Sequence, residues 1–409
     1  MTNPIGLSTI FAMKKTLALV VSVAFLSSLL ISPAIGAVKA GAVCSKAGAT
    51  STASGKKFTC VKSGKKLVWN KGVLIPVAKP APSSSAAPVA SVSPTPKASV
   101  APAVVYPKGP TSFDDLVENY QGIAYAAWSR STTVLKSANS VVVPFKAVTG
   151  PNTTLAYKTP EKIYDLVSRM YTGYQSANDL TVLSFAYDDR DWAEQQMKTI
   201  QPSSTWQWIK FTACETRPTC WGGGMHTDAN GRGLMVMTTE VVDENHTSGT
   251  LDAHEYTHAI QQNQMGRSQP WPPSGTWPPT WYLEGQANYS QYVAVYNNSF
   301  EEYLVKRRPS SEGLYRDSKI TSQWIQEYFV VDPPSDWLNK YDGWRQYDLG
   351  GMLIETLIAV KGPASTMELW KQSGTGMKFK DAFEKVYGIS FDKALPTISK
   401  AIALQLGRS

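Results

Sequence analysis

The chain is poor in histidine and cysteine, with four of each in 409 residues. The cysteines fall into two local pairs, Cys44 with Cys60 and Cys214 with Cys220. Neither pair has CxxC spacing, which excludes the usual zinc-ribbon and redox motifs. Near pairs of this kind close as disulfides outside the cell. Acid is missing from the first 110 residues, which hold 13 Lys and no Arg, Asp or Glu. The rest has 27 basic and 32 acidic residues, so the net charge of +8 comes from the N-terminal part alone. Those lysines are not interleaved with aromatics, which argues against a nucleic-acid partner. They suit attraction to anionic cell-envelope polymers instead. After residue 31 no run is long and apolar enough to span a bilayer, and no internal repeat is present.

Four segments follow from composition. Residues 1–36 read as a signal peptide: Lys14 and Lys15 precede an apolar run ending at Ile31, followed by the small residues Ala34, Gly36 and Ala37. The expectation is therefore a secreted or cell-surface-associated protein with no transmembrane span once the leader is cleaved. Residues 37–76 form a small basic segment holding the first Cys pair, too short to bury much core unaided. Residues 77–110 are rich in Pro, Ala and Ser and read as a disordered tether. Residues 111–409 form the large domain.

In that domain Ser112 and Asp115 make a capping box before FDDLVENYQGIAYAAWSR, and Thr159-Pro160-Glu161 opens a second helix. Strand patterns occupy 180–188 and 233–242. From 248 onward the periodicity predicts helices over 248–266, 280–296, 344–360, 364–373 and 390–406. Strands first and helices after predict an α+β fold, a small sheet followed by a mostly helical half.

The run LDAHEYTHAIQQ places His254 and His258 four residues apart, on one face of a helix, where two imidazoles can grip one cation. With so few histidines, this spacing is hard to obtain by chance. Glu255 lies beside them, suited to act on water rather than to bind the metal. A catalytic zinc needs three protein ligands and an open position. Glu284 in WYLEGQANY, 26 residues after His258, offers a third ligand on the next helix. The intervening SQPWPPSGTWPPT can turn the chain back, and Gly285 and Ala287 permit close helix contact.

HEYTH followed by TWYLEGQAN resembles the gluzincin metallopeptidases, locally the bacterial collagenase and aminopeptidase types, over roughly residues 230–355. The resemblance implies a zinc peptidase with His254, His258 and Glu284 as ligands and Glu255 as general base. It implies a positioning role for Asn288, where many relatives carry an acid that orients the first ligand histidine. It also implies an oxyanion role for Tyr347, which opens a YxxG helix start, with Tyr341 as substitute. In GRGLMVMTTE it implies the sheet edge that pairs with substrate. The aminopeptidase pattern has Gly-x-Met-Glu-Asn upstream, with a Glu that holds the substrate amino terminus. GGGMHTDAN puts His226 in that place, which favours endopeptidase action on peptide or protein substrates. His226 and His246 read as ordinary loop histidines. Extracellular relatives often carry Ca2+, but no motif here supports it. The alternatives are an envelope-binding or adhesion protein on a retained scaffold, and a zinc amidase acting on cell-wall crosslinks.

Overall fold

The structure, a computed structural model, describes residues 41–44, 46–53, 56–64, 66–74, 104–201, 209–228, 230–265, 276–330 and 340–408. The leader and most of the tether lie outside the described residues, as does 266–275 of the Trp/Pro-rich connection. Among the described residues no helix is long and apolar enough to cross a membrane.

The chain divides into two compact units with a boundary near residue 102. In the small unit, β1 (Thr50–Ala53), β3 (Lys66–Trp69) and β4 (Val73–Leu74) all pair antiparallel with β2 (Lys56–Ser63). The Cys44–Cys60 disulfide ties β2 to the segment before it. Among the described residues, Phe58, Cys44 and Cys60 are the buried apolar side chains of this unit, a small core that the disulfide reinforces.

The large unit begins before Thr111: Tyr106 stacks on Tyr125 with ring centres 4.1 Å apart. Its sheet has the order β5 (Phe145–Thr149), β6 (Asp179–Phe185), β8 (Arg232–Thr239), β7 (Trp221–Thr227). The first three strands are parallel, and β7 runs antiparallel to β8. Parallel neighbours need crossovers, so α2 (Pro160–Met170) and α3 (Arg190–Ile200) lie between strands in sequence. The expected order of strands first and helices after therefore holds only beyond residue 239. The Ser112–Asp115 box forms in part, since Asp115 accepts the Thr111 and Ser112 backbone N–H groups at 2.9 Å. It closes a series of turns, however, and α1 starts only at Ile123, running to Ser137.

Alternation along the strands feeds two cores. Leu180, Val182, Met235 and Met237 enter the large helical core. Leu183, Phe185, Leu234 and Val236 pack on the other face with Ala193 and Met197 of α3 and with the Cys214–Cys220 disulfide. Strands buried on both faces read as unbroken apolar runs, which is why β6 and β8 stand out in the sequence.

After β8 the chain is helical: α4 (Glu244–Ser248), α5 (Thr250–Gln264), α6 (Thr280–Val295), α7 (Phe300–Arg316), α8 (Ser322–Tyr328), α9 (Arg345–Lys361), α10 (Pro363–Gly374), α11 (Phe379–Tyr387) and α12 (Phe391–Gln405). α6 lies against both α5 and α9. The close approach permitted by Gly285 is made to α9, not to α5. A Cβ on Gly285 would lie 2.3 Å from the Gly350 carbonyl carbon, and one on Gly350 would lie 2.2 Å from the Trp281 carbonyl oxygen. Fully buried Trp281 and Trp370 anchor this bundle; truncating either to alanine costs about 3–5 kcal/mol on typical core values.

Candidate metal centre

Helices α5 and α6 bring His254, His258 and Glu284 together, with ligand atoms all within 4.8 Å of one another and all three side chains buried. Both Nε2 atoms converge on one carboxylate oxygen, Glu284 Oε2, at 3.3 Å each. The imidazole rings lie edge to face, 4.9 Å apart. Tetrahedral zinc with ligand bonds of about 2.1 Å separates its ligand atoms by about 3.4 Å, so the nitrogen–oxygen edges already have the required length. Two imidazole nitrogens and one carboxylate are also the donor set that zinc accepts.

The far side of each ring is held by an amide. His254 Nδ1 lies 2.9 Å from Gln291 Oε1, and His258 Nδ1 lies 2.7 Å from Gln261 Oε1. A carboxamide oxygen only accepts, so each Nδ1 carries a hydrogen, which leaves each Nε2, now facing the Glu284 carboxylate, as the nitrogen that can ligate a metal once it gives up any proton it holds. Gln261 is fixed by donating to the Leu283 carbonyl at 3.1 Å and to Gln286 Oε1 at 2.9 Å. Gln291 donates to Asn288 Oδ1 at 3.2 Å, and Asn288 donates to the Tyr347 carbonyl at 3.0 Å. Asn288 thus acts one step further out than its place in the motif implies; Gln291 is the residue that touches the histidine. Spacing carried a signal for both amides: Gln261 is three residues after His258, and Gln291 is seven after Glu284 on the same helix face.

Electrostatics bind the cluster. Burial pulls the His258 imidazole down, but Glu284, Glu255 and Gln261 outweigh it and hold it at about 9. Burial raises the Glu284 carboxyl, yet the two imidazoles overcome this and hold it at about 2. Glu255 moves the other way: burial raises it against the opposing pull of both histidines, and Glu284 raises it further. A carboxyl lifted in this way is better matched to general-base work near neutrality.

Glu255 faces β7. A Cβ on Gly223 would lie 2.7 Å from Glu255 Oε1, so only glycine leaves room for the carboxylate there. The sheet order makes β7 the edge that borders the site. β8, expected to be that edge, is interior, paired with β6 and β7. Three consecutive glycines carry almost no strand propensity, which hid β7 in the sequence.

Tyr347, near the start of α9, brings its ring centre to 6.0 Å from that of His254. Burial, then Glu284 and Glu255, push its phenol well above the usual range, so it stays a hydrogen-bond donor. Its hydroxyl is buried without a partner in hydrogen-bond geometry; the Gln346 side chain is close but outside that geometry. A buried orphan hydroxyl costs about 1–3 kcal/mol and points to a partner that arrives later. Tyr341 packs edge-on against Trp324 and Tyr328, at 5.1 and 5.2 Å, and does not line the cleft among the described residues. It does not serve as a substitute for Tyr347.

The other two histidines are elsewhere or otherwise engaged. On β7, Gly223 and Met225 face α5 and the large core, so alternation turns His226 to the opposite face, where burial holds it at about 4. His246 is not in a loop. It is buried on α4, its ring set between Asp243 Oδ1 at 2.8 Å and the Thr238 carbonyl at 3.0 Å, where it ties β8 to the helix pair carrying the site. A cleft of about 700 Å³ opens over His254, Glu255 and Tyr347, with Trp221, Trp344 and Tyr292 in its walls. No protein-family model, curated protein or solved structure matches the chain.

Proposed function

We propose that the chain is a secreted zinc-dependent peptidase of gluzincin type, acting as an endopeptidase on peptide or protein substrates. The observation that carries the reading is the convergence of the His254 and His258 Nε2 atoms on one Glu284 oxygen at 3.3 Å, with Glu255 alongside. His254, His258 and Glu284 would hold the metal, which when bound supplies Lewis-acid polarisation of water and of the substrate carbonyl. Glu255 takes the proton of the attacking water and returns it to the leaving amine. The Tyr347 phenol donates to the carbonyl oxygen as charge develops there. Gln291 and Gln261 keep the imidazoles in the ligating tautomer. His226 faces away from the cluster, so it offers no grip on a substrate amino terminus, in keeping with internal cleavage. Both disulfides suit an oxidising compartment.

The test is hydrolysis of casein and labelled peptides by wild type, Glu255→Gln and His258→Ala, with zinc content measured in each. Wild type should cleave and lose activity to a chelator. Glu255→Gln should keep its fold and zinc while activity falls by orders of magnitude, and His258→Ala should lose zinc. Full activity of Glu255→Gln would eliminate the base assignment. Absence of any hydrolysis would leave the envelope-binding alternative, and release from isolated peptidoglycan alone would favour an amidase.

A further inference from the structure

The cleft has an apolar wall that the proposed chemistry does not use. Among the described residues, the large apolar side chains left exposed are valines, except for Trp344, which is 46% exposed. Trp344 precedes α9, three residues before Tyr347, and its ring centre lies 5.3 Å from that of Tyr347. It also stacks on Trp221, at 6.4 Å and 23° between planes. Four rings, Trp221, Trp344, Tyr347 and His254, thus run from the cleft wall to the metal ligands.

Trp221 opens the edge strand, two residues before the Gly223 that meets Glu255. Residues two apart share a strand face and stand about 6.8 Å apart along it. β7 stays in register with β8 through Trp221 and Thr239. An extended peptide alongside β7, with its reacting carbonyl at Glu255, would therefore bring a side chain one or two residues away over the indoles. The charged groups beside them have partners: Lys306 pairs with Glu244, and Arg345 is shared between Asp348 and Asp342. The indoles themselves offer ring faces, with the surplus charge beside them acidic.

We infer that Trp221 and Trp344 form an aromatic shelf selecting substrates with a large apolar or aromatic side chain within two residues of the cleaved bond. This rests on the peptidase reading and names its substrate class. Indole faces take such rings by stacking and by area burial, and they discriminate against small or acidic side chains.

Quenched fluorescent peptides varied at the two positions on each side of the cleaved bond test this. Wild type should prefer Phe, Tyr or Leu over Ala at one position by about 10- to 100-fold in kcat/KM. Trp344→Ala and Trp221→Ala should bring that ratio close to one, and Trp344→Phe should restore most of it. Cleavage with no such preference, or a ratio untouched in both alanine variants, overturns the shelf while leaving the peptidase standing. Absence of all cleavage sinks the peptidase reading instead. Binding of blocked Gly-Phe-Gly against Gly-Ala-Gly, followed by tryptophan fluorescence in wild type and Trp344→Ala, then decides the shelf. Tighter binding of the Phe peptide that depends on Trp344 supports it, and equal binding refutes it.

Discussion

Replacing Gln291 with alanine removes the acceptor at 2.9 Å that fixes the His254 Nδ1 hydrogen. Both side chains are less than a tenth exposed but border the cleft, so any water that replaces the amide would not be held in its fixed orientation. An unsatisfied buried donor costs about 1–3 kcal/mol. Loss of an amide that orients a ligand histidine typically weakens metal binding by about 10- to 100-fold, which is about 1.4–2.7 kcal/mol. The effect should reach past His254, because Gln291 also donates to Asn288, which holds the Tyr347 carbonyl. Zinc affinity, measured by competition against a chelating dye, should fall by that factor in Gln291→Ala. Circular dichroism in chelator separates this from unfolding. Gln291→Glu keeps an acceptor at the same place and should recover the affinity. Wild-type zinc affinity in Gln291→Ala would refute the reasoning, and so would a Gln291→Glu variant as weak as the alanine.

Two further outcomes follow from the same geometry. Tyr347→Phe should lower kcat by about 100-fold with zinc content and KM little changed, as for loss of one oxyanion donor; an unchanged kcat would remove Tyr347 from the chemistry. His226, held at about 4 in the fold against about 6.5 when free, binds its proton more readily in the unfolded chain. Its contribution to stability is complete above about pH 6.5 and is lost as pH falls toward 4. Denaturant midpoints from pH 7 to 4.5 should therefore drop less steeply in His226→Gln than in wild type. Parallel curves would show that His226 does not set this acid limb.

The two histidines of the candidate metal cluster were legible because helical periodicity alone puts His254 and His258 on one face, whatever surrounds them. The apolar strands β6 and β8 and the helices α5, α6, α9, α10 and α12 were legible because burial sets the pattern of apolar residues, whereas α7, α8 and α11 were not read; α7 buries only Phe300, Tyr303, Ser311 and Leu314 of its 17 residues. The helix over Arg190–Ile200 was harder to see, since its mean polarity is high and only Ala193, Glu194 and Met197 are buried.

What the sequence by itself determined is local: which residues share a helix face, which strands are buried on both sides, and which cysteines are near enough to join. Tertiary structure decided the pairings between elements. Gln291 meets His254 across two helices, Gly223 makes room for Glu255 across a sheet edge, and Gly350 lets α9 approach α6 closely enough to bring Tyr347 to the site. The physical reason is range. Backbone periodicity acts over a few residues of chain, whereas hydrogen bonds and steric contacts act over a few ångströms of space between residues that lie far apart in sequence.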